Sequence, residues 1–90
     1  MAKRKTIKRN IHIICTDLWA ECVATMLYST KANENNVEAL LHSIINLEHD
    51  FVSRVSHVEP GIAPKAYFKD LIDKFNSQSS EIIDQINNLH

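Results

Sequence analysis

The stretch VEALLHSIINLEHDFVSRVSHV, residues 37–58, decides the fold. Val37, Leu40, Leu41, Ile44, Leu47, Phe51, Val55 and Val58 recur at the three- and four-residue steps of one helical face, with no glycine or proline until Pro60-Gly61. Such a pattern specifies a long amphipathic helix, predicted over about 35–58. Before it, Asn33 and Asn35 offer N-caps, the latter with Glu38 three residues on as a capping box.

The same period continues on both sides. Ile7, Ile11, Ile14, Leu18, Cys22 and Met26 predict a first helix over about 6–28, and the Asn-rich segment 29–36 predicts a turn. On the other side, Pro64 suits a first helical position, where its missing N–H is not needed. Phe68, Ile72, Phe75, Ser79, Ile82, Ile86 and Leu89 then form a heptad seam and predict a third helix over 64–89. Ser77–Ser80 interrupts this helix with weak helix formers and places Ser79 in the seam, which predicts a local bend or a gap.

Ninety residues supply one core and therefore one domain, 1–90. One glycine and two prolines leave too little turn chemistry for a β-sandwich or barrel. The expected architecture is all-α: an elongated up-down-up antiparallel three-helix bundle with long helices. The first helix carries a further signal, because from Leu18 to Tyr28 only Glu21 and Thr25 interrupt an apolar run. Two neighbours cover about half of a helix surface, so a third contact is implied. The expectation is a homodimer formed through Trp19, Val23 and Leu27, with any other protein partner unknown.

Charge is unevenly placed. Lys3, Arg4, Lys5, Lys8 and Arg9 give the tip, residues 1–9, half of the ten basic residues, whereas the rest of the chain has five basic and eleven acidic residues. Lys5, Lys8, Arg9 and His12 share one helical face. Cations at a helix N-terminus oppose its dipole, so local stability does not account for them. They suit the phosphates of nucleic acid, an acidic partner, or the C-terminal end of the second helix with Glu59. No recognition helix, aromatic β platform or zinc finger accompanies them, so only phosphate contact without base reading is expected.

Chemistry is sparsely represented. Cys15 and Cys22 are seven residues apart, about 10 Å along a helix, too far for a disulfide, and read as reduced core thiols. The histidines are His12, His42, His49, His57 and His90, and no Glu has a His three residues later, the spacing of di-iron bundles. Glu38 and His42, four apart, suit a simple side-chain pair. His42 lacks the neighbouring lysine and small residues that a phosphorelay histidine needs. No nucleophile elbow or phosphate-cradling glycine loop is present. Neither catalysis, nor a metal, nor a cofactor is expected. Residues 58–64 could present Ile62 to a partner or simply connect two helices.

The start, Met-Ala-Lys-Arg-Lys, resembles that of a signal peptide, but Asp17 and Glu21 interrupt the apolar segment that follows. No run approaches the roughly 18 uncharged residues of a membrane span. The expected location is the cytoplasm, without membrane contact. The functional expectation is a non-catalytic interaction or scaffold protein; the alternative is a nucleic-acid-associated protein using the basic tip.

Overall fold

Helical periodicity over most of the chain yields three α-helices, α1 (Arg4–Tyr28), α2 (Glu34–Ser56) and α3 (Pro64–Asn87), in a computed structural model that describes residues 4–28, 34–58 and 60–89. No strand occurs among the described residues. The helices form an elongated bundle with extents of 50 × 18 × 16 Å. Pro64 occupies the first turn of α3, preceded by Ala63 in the extended conformation that a following proline favours (φ −59°, ψ 131°). Gly61, at φ +88°, turns the α2–α3 connection where a side chain would be strained.

The helix ends differ slightly from expectation. α1 begins at Arg4, α2 stops at Ser56 and α3 stops at Asn87, where the Asn88 N–H donates back to the carbonyls of Asp84 and Gln85. Asn35 lies inside α2 and is therefore not its cap, while the other candidate, Asn33, lies outside the described residues.

One continuous core runs through the bundle. α2 contributes Val37, Leu40, Ile44, Leu47, Phe51 and Val55, all buried, with Leu41 and Val52 half-buried beside them. Phe51 is fully enclosed and meets Phe75 of α3 edge to face, with ring centroids 5.3 Å apart. The Arg54 guanidinium lies 4.7 Å from the Phe51 ring centre and also pairs with Asp50 at 3.0 Å.

Three predicted seam residues, Ile14, Met26 and Ile72, depart from the sequence reading. In α1 the buried residues are Ile7, Ile11, Cys15, Leu18 and Cys22, while Ile14 and Met26 are exposed. Cys15 and Ile14 both satisfy three- and four-residue steps, and packing selects the smaller one. α1 makes its most extensive contact with α2, and the Cys22 thiol reaches the Val37 backbone carbonyl at 3.8 Å, a close approach that a thiol permits. In α3 the same ambiguity is resolved in favour of Leu71, which is buried while Ile72 is exposed. Leu71 shares a shallow groove with Arg54 of α2, and α3 packs more on α2 than on α1.

The serine run does not break α3, which continues through it. The buried Ser79 hydroxyl donates to the Phe75 carbonyl at 2.8 Å, so it fills a seam position with its polarity satisfied. At the other end of α3, the Tyr67 hydroxyl lies 2.9 Å from the Arg54 carbonyl and 3.3 Å from that of His57. It thereby serves the Arg54 carbonyl in the last turn of α2 and the His57 carbonyl just beyond it.

Phe51→Ala should cost about 3–5 kcal/mol, a large part of a small domain's stability, whereas Tyr67→Phe should cost about 0.5–1.5 kcal/mol. Urea titrations followed by circular dichroism check both. Equal losses would mean that the Phe51–Phe75 contact is not the centre of the core.

Candidate interaction surface

Helical spacing sorts the side chains of α1 into a seam and two flanks. The cationic residues at its start stand in solvent: Arg4, Lys5 and Arg9 are exposed and Lys8 is half-buried. None of the four forms an ion pair with a described residue. Lys3 and Glu59, the acidic neighbour considered for this tip, lie outside the described residues. No acidic side chain occupies the first turn of α1 to offset the dipole.

His12, placed by its spacing on the same cationic face, instead meets Glu48 of α2, with His12 Nδ1 2.5 Å from Glu48 Oε1. The other ion pairs among the described residues, Arg54–Asp50 and Lys74–Asp70, span one turn each within a helix. Sequence reading had no means to find the His12–Glu48 contact, because it joins positions 36 residues apart.

That contact identifies which flank of α1 borders α2. At about 100° per residue, His12, Trp19, Val23 and Met26 share one side of α1, as Leu41, Ile45, Glu48 and Val52 share one side of α2. The His12–Glu48 and Cys22–Val37 contacts bracket a segment of the α1–α2 pair, with Trp19 on one helix and Leu41 and Ile45 on the other. Trp19 is 39% exposed and Ile45 49% exposed, with Val23 and Leu41 half-buried. Leu27, 69% exposed, lies farther round α1, near its end. The three α1 residues read from sequence as a contact surface are thus solvent-accessible, and α2 adds Leu41 and Ile45, which were read only as part of a core face or not at all. Ile45 has no place in the α2 core period, because the adjacent Ile44 occupies it.

A second apolar strip comprises Ile14 on α1 and Ile72 and Ile83 on α3, each a little over one-third exposed. Ile62 is also exposed and lines the groove near Tyr67 and Leu71.

No group of three or more His, Cys, Asp or Glu residues converges as metal ligands among the described residues. His42 and His49 are exposed, Glu38 and His42 make no bond to each other, and the His57 ring nitrogen lies 2.9 Å from the Ser53 carbonyl; His90 lies outside the described residues. The grooves between α2 and α3 are shallow and lined by Asn36, Ser43, Gln78 and Gln85 among others. Both thiols are buried and free. Burial, helped by the Glu48 carboxylate, pushes the Cys15 thiol up to about 11, and burial also raises that of Cys22.

By length and composition α1 is apolar enough to cross a membrane. Asp17 and Glu21 lie within it and its seam packs on α2, an arrangement that the bundle accounts for.

Because the Cys15 thiol is held neutral in the fold, its contribution to stability is complete below 9.0 and is lost as pH rises toward 11. Urea midpoints should fall over that interval, and Cys15→Ala should flatten the decline. An unchanged slope in the variant would remove Cys15 as the cause. Comparison with protein-family models, curated proteins and solved structures finds no match to this chain.

Proposed function

We propose that this chain is a non-catalytic helical interaction module, an up-down-up bundle that pairs with a second copy through the outer side of α1 and α2. The directions of the helices are inferred from contacts along them. His12 with Glu48 and Cys22 with Val37 support opposed directions for α1 and α2, and Phe51 with Phe75 and Arg54 with Tyr67 support the same for α2 and α3.

The observation that carries the function is the exposed Trp19–Ile45 surface with Val23 and Leu41 at its margins. Large aromatic and aliphatic side chains on a built helical surface lose unfavourable hydration when a partner covers them. The face is two helices wide and about 33 Å long, roughly 650 Å² of surface, near the 800 Å² per partner of an ordinary stable interface. Leu27 extends it at the edge. The competing reading is phosphate binding, since Arg4, Lys5, Lys8 and Arg9 form no ion pair among the described residues and are exposed or half-buried.

Sedimentation at micromolar concentration should give twice the 10.3 kDa chain mass, and Trp19→Asp should return the protein to 10.3 kDa with its helicity intact. A wild-type monomer throughout that range would overturn the homodimer.

A further inference from the structure

We propose that the second copy docks antiparallel on the α1–α2 face, with Lys5 and Lys8 of each copy level with Glu34 and Glu38, respectively, of the other. This rests on the homodimeric reading above and adds its orientation, its register and a role for the basic tip. Beyond the His12–Glu48 contact lie Lys8 and Lys5, exposed or half-buried and unpaired. Beyond the Cys22–Val37 contact, at the opposite end, lie Glu38 and Glu34, both exposed and without an ion pair among the described residues. The apolar surface with Trp19, Leu41 and Ile45 lies between them.

A face that is positive at one end, apolar in the middle and negative at the other repels a parallel copy and attracts an antiparallel one. A two-fold dimer is the closed arrangement in which one patch binds itself. The spacing also agrees. Counting equal rises of about 1.5 Å from the two contacts, Glu38 lies level with Cys22 and Glu34 with Met26. A two-fold axis running across the helices level with Cys15 and Ile45 then brings Lys8 level with Glu38 of the partner subunit and, in the same register, Lys5 level with Glu34 of the partner subunit, each carboxylate on the helix beside the one its lysine faces. It also places Ile45 against its own copy at the centre, because such an axis lays α2 on α2 and α1 on α1. Two independent charge pairs and the apolar centre thus select one axis position. Arg9, farther round α1, adds to the positive field without a specific partner.

The tip therefore belongs to the interface rather than to a nucleic-acid site. The unfavourable placement of Lys5 and Lys8 at the start of α1 is offset across the dimer by the field of carboxylates that have no ion pair among the described residues.

Reciprocal charge reversal provides the test. Lys5→Glu/Lys8→Glu and Glu34→Lys/Glu38→Lys should each weaken self-association at least about tenfold at low salt, because both ends of the homodimer become repulsive. Mixing the two variants should restore pairing as a heterodimer, since both of its ends are then complementary. Mass-resolved sedimentation with one variant tagged reads this directly, and circular dichroism verifies that each variant folds. A wild-type dimer that Trp19→Asp disrupts, but that neither charge variant affects, overturns the register while leaving the homodimer intact. A monomeric wild type overturns both. Salt-sensitive binding of a short DNA or RNA duplex that is lost in Lys5→Glu/Lys8→Glu, with no heterodimer on mixing, assigns the tip to phosphate and overturns the proposal.

Discussion

One strip of α2 has to serve two neighbours, and the other packing in the bundle follows from how that strip is shared. Val37, Leu40, Ile44, Leu47, Phe51 and Val55 are almost completely removed from water, against both α1 and α3. On the α1 side the fit is close because thiols occupy two seam positions, and the Cys22 sulfur reaches the α2 backbone. On the α3 side the larger Phe75 and Leu71 meet Phe51 and the Arg54 region. α1 and α3, each drawn to α2, are left with thinner contact between themselves. Ile14, Ile72 and Ile83 are partly exposed for this reason.

This division explains what the sequence could and could not reveal. The α2 seam was readable almost residue by residue, because its polar side chains confine the apolar ones to one face. α1 has no such contrast, so a period of three or four fitted Ile14 as well as Cys15, and only the proximity of α2 decides between them. The same applies to Leu71 and Ile72. Pro64 was legible as a helix start because its ring fixes the backbone locally. Glu48 was not legible as a partner of His12, nor was Ile45 as a companion of Trp19, because both relations arise only when two helices are laid side by side. Ser79 illustrates the reverse case: a residue that looks disruptive in a seam is accommodated by a bond to its own helix.

The surface residues form a coherent pattern once the helices are placed. Cations that disfavour the start of α1, carboxylates near the start of α2 and an exposed aromatic residue between them are separate oddities along the chain. In the dimer proposed above, they have, arranged on one face, the polarity of a surface suited to its own copy. In that proposal the charges set orientation and the apolar centre supplies most of the free energy, the usual division of labour at protein interfaces.

The thin contact between α1 and α3 has a dynamic consequence. Local opening of a native protein favours the element with the fewest contacts, which singles out α3, joined less extensively to the α1–α2 pair than those two helices are to each other. Tyr67 restrains one end of that motion by holding the Arg54 and His57 carbonyls, so the opening is hinged at the Pro60–Pro64 connection and widest at Ile86 and Leu89. The bundle is in this sense a closely joined helical pair with a third helix latched at one end, and its amide protons should exchange in two tiers rather than one.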